Sequence, residues 1–154
     1  MISAHYLPKP LKATEKSEII DPYVKIEIAG VAADCESKRS GYVDDNGFDP
    51  YWGQTFHKSL VAPELAVLYL ELRDKDIAKD QLLCCASVAV RNVRSGYRAL
   101  PLFDPAGMRV PLAYVFVKIA IRVKDNAPNS PVDPRSTLYM LDASLFSGPS
   151  AVPL

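Results

Sequence analysis

Hydrophobic and polar positions alternate with a period of two through most of this chain. In Tyr23-Val24-Lys25-Ile26-Glu27-Ile28, the aliphatic residues Val24, Ile26 and Ile28 share one face, and Lys25 and Glu27 share the other. Leu68, Leu70 and Leu72 oppose Tyr69 and Glu71 in the same way. Over 113–123, Val115, Val117, Ile119 and Ile121 oppose Lys118 and Arg122. Residues 2–7, 36–43, 54–60 and 97–103 read as further strands, each bounded by Gly, Pro, Asn or Asp. The stretch 82–90 is continuously apolar or small, which predicts a strand buried on both faces. No segment carries three turns of helical amphipathicity. About eight short strands at regular spacing predict an all-β fold, an antiparallel β-sandwich.

Beyond Lys124 the alternation ends. Pro128, Pro131, Pro134, Pro149 and Pro153 are scattered among Ser, Asn and Asp. Residues 1–124 are therefore expected to form one domain, and 125–154 a mostly disordered tail in which Tyr139-Met140-Leu141 and Leu145-Phe146 are the docking candidates. Lys+Arg and Asp+Glu balance at 18 each, and no basic run is present, so nucleic acid is not expected as the main partner. No apolar run reaches membrane-spanning length and no signal-peptide pattern opens the chain, which points to the cytoplasm. Cys35, Cys84 and Cys85 lack metal-ligand spacing and read as buried free thiols. His5 and His57 stand alone, so no nucleophile–base pair supports an independent hydrolase.

The chemistry concentrates in three turns. Leu70-Glu71-Leu72-Arg73-Asp74-Lys75-Asp76 runs from a buried strand into two aspartates one residue apart, which should share a face. Ile20-Asp21-Pro22-Tyr23 opens a strand. Asp44-Asp45-Asn46-Gly47 closes another, its Asn-Gly pair favouring positive φ, and Trp52 just beyond reads as a structural anchor. The loops of a sandwich cluster at its two ends, so Asp21, Asp45, Asp74 and Asp76 can meet at one end. Calcium is a hard cation that takes six to eight oxygens at flexible geometry, and such a cluster would suit it. The alternative is that these Asp and Asn residues only stabilise turn backbone.

These turns resemble the three loop signatures of C2 domains, with Asp21-Pro22-Tyr23-Val24-Lys25-Ile26, Asn46-Gly47-Phe48-Asp49-Pro50-Tyr51-Trp52 and Leu72-Arg73-Asp74-Lys75-Asp76 in the right order. Pro63-Glu64-Leu65-Ala66, Gly96-Tyr97-Arg98 and Phe116-Val117-Lys118-Ile119 narrow the resemblance to the C2 domain that closes eukaryotic phosphoinositide-specific phospholipase C. It covers roughly residues 2–122. It implies an eight-stranded sandwich of the permuted type, with calcium held by Asp21, Asp45, Asp74 and Asp76. Asn46 is adjacent, and the carbonyl of Ile19 or Ile20 is a further oxygen donor. Two departures matter: the loop after Asp76 is short, and Gln81 stands where a further acid belongs, so a second calcium is not expected.

The family's catalytic barrel would lie upstream and is not in this chain. The chain therefore reads as a C-terminal piece of a phospholipase C, its first strand shortened, with no hydrolysis expected of it alone. The implied function is calcium-dependent docking on anionic phospholipid membrane, cytoplasmic and peripheral. Ile20 and Ile77 are placed either to dip into the interface or to pack inward. Lys38, Arg39, Arg91, Arg94 and Arg98 read as scattered surface charge. The rival readings are a calcium-independent structural C2 domain packed against the catalytic barrel, and a truncated product without function.

Overall fold

Burial alternates strictly along the strand Val67–Asp74 (β5): Leu68, Leu70 and Leu72 are buried, and Tyr69, Glu71 and Arg73 are half-buried. Asp74 takes the next inward position and is only 5% exposed. A leucine face thus ends in a carboxylate, and that step organises one end of the molecule.

The structure is a computed structural model that describes residues 2–10, 19–76, 79–124 and 138–142. Besides β5, the strands are β1 (Ile2–His5), β2 (Pro22–Ala29), β3 (Glu36–Arg39), β4 (His57–Leu60), β6 (Gln81–Ala89), β7 (Gly96–Phe103), β8 (Arg109–Lys124) and β9 (Leu138–Asp142). Single 3-10 turns, Pro63–Leu65 and Val90–Asn92, are the only helical elements among the described residues. All strand pairs are antiparallel, along the path β3-β2-β5-β6-β7-β8-β9-β4, with β1 also on β8. β6 and β7 meet at one pair, Cys85 with Phe103, and there the curled sheet turns over to form the second layer of the sandwich.

The core lies between the two layers. Val24 and Ile28 from β2, the β5 leucines and Leu83, Cys84 and Ala86 from β6 face Ile2, Ala4, Leu102, Val115, Val117 and Ile119. Burying each large aliphatic side chain contributes about 1.5–3 kcal/mol, so these alternating stripes supply most of the driving force. On the outer face, Lys25 pairs with Glu27 along β2 at 3.0 Å and with Glu71 across to β5 at 3.8 Å, and Arg73 pairs with Glu71 along β5 at 2.9 Å. They are half-exposed and contribute little to stability.

Several expectations are revised. β6 is not buried on both faces, because Cys85 is intermediate and Ser87 exposed. Its apolar run reflects an irregularity instead: Leu72 pairs with Cys84 and Arg73 with Leu82, leaving Leu83 as an extra residue, so consecutive Leu83 and Cys84 both turn inward. Burial pushes the Cys84 thiol up to about 12. Cys35, expected to be buried, is exposed. To the eight strands expected of the domain, residues 138–142 add a further one, β9. It lies in the expected tail 125–154, the rest of which falls outside the described residues, as does the loop read over 11–18.

The end of the sandwich opposite Asp74 is fastened by Asp34, which is fully buried. Its carboxylate accepts the N–H groups of Val61 at 2.6 Å and Ala62 at 2.9 Å, joining the β2–β3 turn to the exit of β4. Asp34→Ala would leave two backbone donors without their carboxylate and is expected to lower unfolding stability by about 1–3 kcal/mol, measured by urea denaturation, with a smaller loss for Asp34→Asn.

Candidate functional site

Three loops come together at the end marked by Asp74. Pro22 pairs with Asp74 at the last rung between β2 and β5, so Asp21 sits directly beside it. The Asp74 carboxylate Oδ1 accepts the Asp21 backbone N–H at 2.8 Å. Asp21 passes the link on: its own Oδ1 accepts the Asp45 N–H at 2.8 Å, and its carbonyl accepts the Lys75 N–H at 3.0 Å. The three loops that supply Asp21, Asp45 and Asp74 are thus tied by aspartate-to-backbone bonds. The convergence expected from the sequence is present.

The acids are not drawn together as carboxylate against carboxylate. Among the described residues, no group of three or more Asp, Glu, His or Cys side chains is arranged to hold a metal. Like charges repel, and the Asp74 and Asp21 carboxylates each accept a backbone donor from the neighbouring loop instead. Asp76 lies on the short loop after β5, where its N–H faces Asp80 Oδ1 at 3.3 Å. Asn46 is committed to its own turn, its side-chain oxygen accepting the N–H groups of Phe48 and Asp49 at 3.2 and 3.1 Å. Positive φ falls on Asp45 (φ 49), one residue before the expected Asn-Gly pair. Gly47 is needed for space instead: a Cβ there would lie 2.6 Å from Ile20 Cγ1.

Ile20 itself is a correction. Its side chain is 2% exposed and packed into the core, so it presents nothing to a membrane. Ile77, the other expected contact, lies outside the described residues. Exposed apolar groups at this end include Tyr6, Ile19 and Phe48, at 48%, 54% and 63%. Tyr6 and Phe48 stack edge to face at 4.8 Å, and all three line a hollow of about 440 Å³ shared with Asp45 and Asn46. A sequence signal existed, since Phe48 follows Asn46-Gly47 in a polar turn with no strand to bury it. Trp52 does anchor the turn, donating its indole N–H to the Pro22 carbonyl at 3.0 Å.

Asp80 is the residue that sequence reasoning undervalued. Its carboxylate takes Lys75 Nζ at 2.8 Å on one oxygen and the Tyr23 hydroxyl at 2.9 Å on the other, closing the loop after β5. The bond from Lys75 holds the Asp80 carboxyl below the usual carboxylate range. In return, the Lys75 ammonium is raised by its bond to Asp80. Tyr23 is raised mainly by burial and further by Asp80. A groove of about 890 Å³ runs from here to the β7–β8 turn, with Lys9, Arg73, Lys79 and Arg109 along it beside Asp76, Asp80 and Asp104.

Comparison with known proteins agrees with this architecture. The profile of the C2 domain family matches residues 1–104. A Dictyostelium discoideum 1-phosphatidylinositol 4,5-bisphosphate phosphodiesterase is 37% identical over 118 residues, 77% of this chain and 15% of that protein. The human 1-phosphatidylinositol 4,5-bisphosphate phosphodiesterase delta-3 is 37% identical over 123 residues, 79% of this chain and 16% of that protein. A mouse protein named inactive phospholipase C-like protein 2 is 33% identical over 121 residues, 79% of this chain and 11% of its own length. The chain thus spans about a sixth or less of the curated relatives it matches. Among solved structures, the crystal structure of L. pealei PLC21 superposes with a TM-score of 0.61 at 25% identity, covering 77% of this chain and 14% of that one. A C2 domain of plant extended synaptotagmin 1 shares the fold alone, with a TM-score of 0.54 at 18% identity, covering 75% of this chain and 89% of that domain.

Two outcomes follow from the loop geometry. Gly47→Ala is expected to cost about 1–3 kcal/mol through the clash with Ile20, read by thermal unfolding. Because the folded-state Asp80 value is depressed, its contribution to stability is present above the unfolded carboxylate value and lost as pH falls through the folded one. Asp80→Asn should therefore flatten the acid limb of a stability–pH curve, measured by urea unfolding from neutral to acidic pH.

Proposed function

The chain belongs to the C2 domain family, of the kind found in phosphoinositide-specific phospholipase C, and we propose that it docks on anionic phospholipid in response to calcium. Asp21, Asp45, Asp74 and Asp76 would hold the ion, with Asn46 and the Ile20 carbonyl as further oxygen donors. The observation that carries this is the joining of the three aspartate-bearing loops at one end of the sandwich, beside an exposed apolar cluster.

The donor set fits in its chemistry. It is all oxygen, as a hard cation requires, and a carboxylate that accepts one N–H keeps lone pairs for another partner. Calcium, when bound, supplies positive charge and coordination positions that lipid phosphate can complete. The chain's own part is to hold the loops in place. Asp74, fixed by the β5 alternation, positions Asp21, and Asp21 positions Asp45. Without a cation the clustered acids repel an anionic surface. Tyr6, Ile19 and Phe48 stand ready to enter the interface, as aromatic and aliphatic groups do at a membrane boundary. Lys9, Lys79 and Arg109 along the adjacent groove add attraction for headgroups.

No helix among the described residues is long and apolar enough to cross a membrane, and docking of this kind is peripheral. In a protein that also carries the catalytic barrel, the docked sandwich would hold that barrel over its phosphoinositide substrate, and hydrolysis would belong to the barrel. One observation favours a second reading, a calcium-independent structural module: the Asp21 and Asp74 carboxylates already serve as loop fasteners.

Calorimetric titration with calcium separates the two. The docking reading expects binding that weakens at least about tenfold in Asp76→Asn. No heat at millimolar calcium would leave only the structural module. In co-sedimentation with phosphatidylserine-containing vesicles, Phe48→Ala and Ile19→Ala are expected to reduce calcium-dependent binding while leaving the calcium titration intact. Ile20→Ala should instead cost about 2–5 kcal/mol of stability without a specific effect on vesicles, as for any core truncation.

A further inference from the structure

β1 and β9 occupy one line. Both pair antiparallel with β8: β1 covers Val117 back to Tyr114, and β9 covers Lys124 back to Ala120. They run in the same direction, and only the two β8 positions Lys118 and Ile119 separate them. The other flank repeats the arrangement. β1 lies against the segment before β4, through Ala4 N–H to Pro50 carbonyl and Trp52 N–H to Ile2 carbonyl, both at 3.0 Å. β9 lies against His57–Leu60 of β4 itself. The space between β4 and β8 is thus one strand wide and is filled end to end by two separate pieces of chain.

An upstream continuation of β1 in its present register would lie opposite Ile119 and onward to Lys124. From Ala120 onward those are the positions that β9 holds. Five registered pairs with β8 and four with β4 depend on which strand is there. Left empty, the slot would expose two rows of backbone donors and acceptors inside a sheet, which is costly and prone to capture another strand. The sequence equips the C-terminal segment for the position. Leu138-Tyr139-Met140-Leu141 is the longest apolar run after Lys124, and the 13 residues 125–137, carrying Pro128, Pro131 and Pro134, are ample to reverse the chain.

We propose that the slot between β4 and β8 is a strand acceptor, that this chain fills it with its own residues 138–142, and that β9 and any strand continuing β1 upstream exclude one another. The C-terminal segment is then a working part of the sandwich, released when an N-terminal strand takes its place. The acceptor reads backbone, so direction and length decide the occupant more than side-chain identity does.

Hydrogen exchange on the full chain, followed by mass spectrometry, tests this. The unmodified protein should protect 57–60, 120–124 and 138–142 together. β9 is flanked on both sides, so a proline anywhere in it removes a ladder bond. Met140→Pro should raise exchange roughly tenfold or more in all three segments while β2 and β5 stay protected. A second protein carries a six-residue alternating Val-Thr extension ahead of Met1. There, 138–142 should lose protection while 57–60 and 120–124 keep it, and Met140→Pro in that background should change nothing further. Unchanged protection of 57–60 and 120–124 in Met140→Pro would overturn the proposal, as would continued protection of 138–142 in the extended protein. If Met140→Pro unfolds the whole chain, the extended protein decides alone.

Discussion

The bond from the Asp21 N–H to the Asp74 carboxylate is the constraint on which one end of the molecule depends. It exists because Asp74 continues the inward face of Leu68, Leu70 and Leu72, so strand geometry carries an ionisable group beneath the loops. A buried carboxylate must be satisfied, and the nearest donors are the backbone N–H groups of the adjoining turn. Asp21, held in this way, fastens the Asp45 loop. Packing, through the β5 alternation, therefore sets the positions of three loops that are far apart in sequence.

The opposite end uses the same device. Asp34 joins two turns by accepting two backbone N–H groups, as Asp74 and Asp21 do at the other end. The chemistry of the aspartate is the same in both places, and its surroundings differ. Asp34 is closed in by protein, whereas Asp45 borders a hollow with Phe48, Ile19 and Tyr6 at its rim. Exposure and apolar company, more than acid content, distinguish the second end from the first.

Strand pairing continues past the point where the alternation ends. β8 runs 16 residues, longer than β1 can cover, and the remainder of its length is paired by β9. A long strand beside a short one leaves backbone groups that some other segment must satisfy.

Much was legible in the residues alone. The period-two pattern located β2, β5 and β8 because each buries one face, and the order of the acidic turns raised the prospect of three loops at one end and brought out the C2 resemblance. Three things needed the tertiary structure. Ile20 turns inward because Gly47 leaves room for it, a contact between residues far apart in sequence. Asp80 becomes the keystone of the loop after β5 because Lys75 and Tyr23 reach it from different elements. And 138–142 becomes a strand because β4 and β8 leave a gap of one strand's width. Alternation is local and can be read along the chain. Which donor meets which acceptor, and which gap is left to fill, depends on residues brought together only by folding.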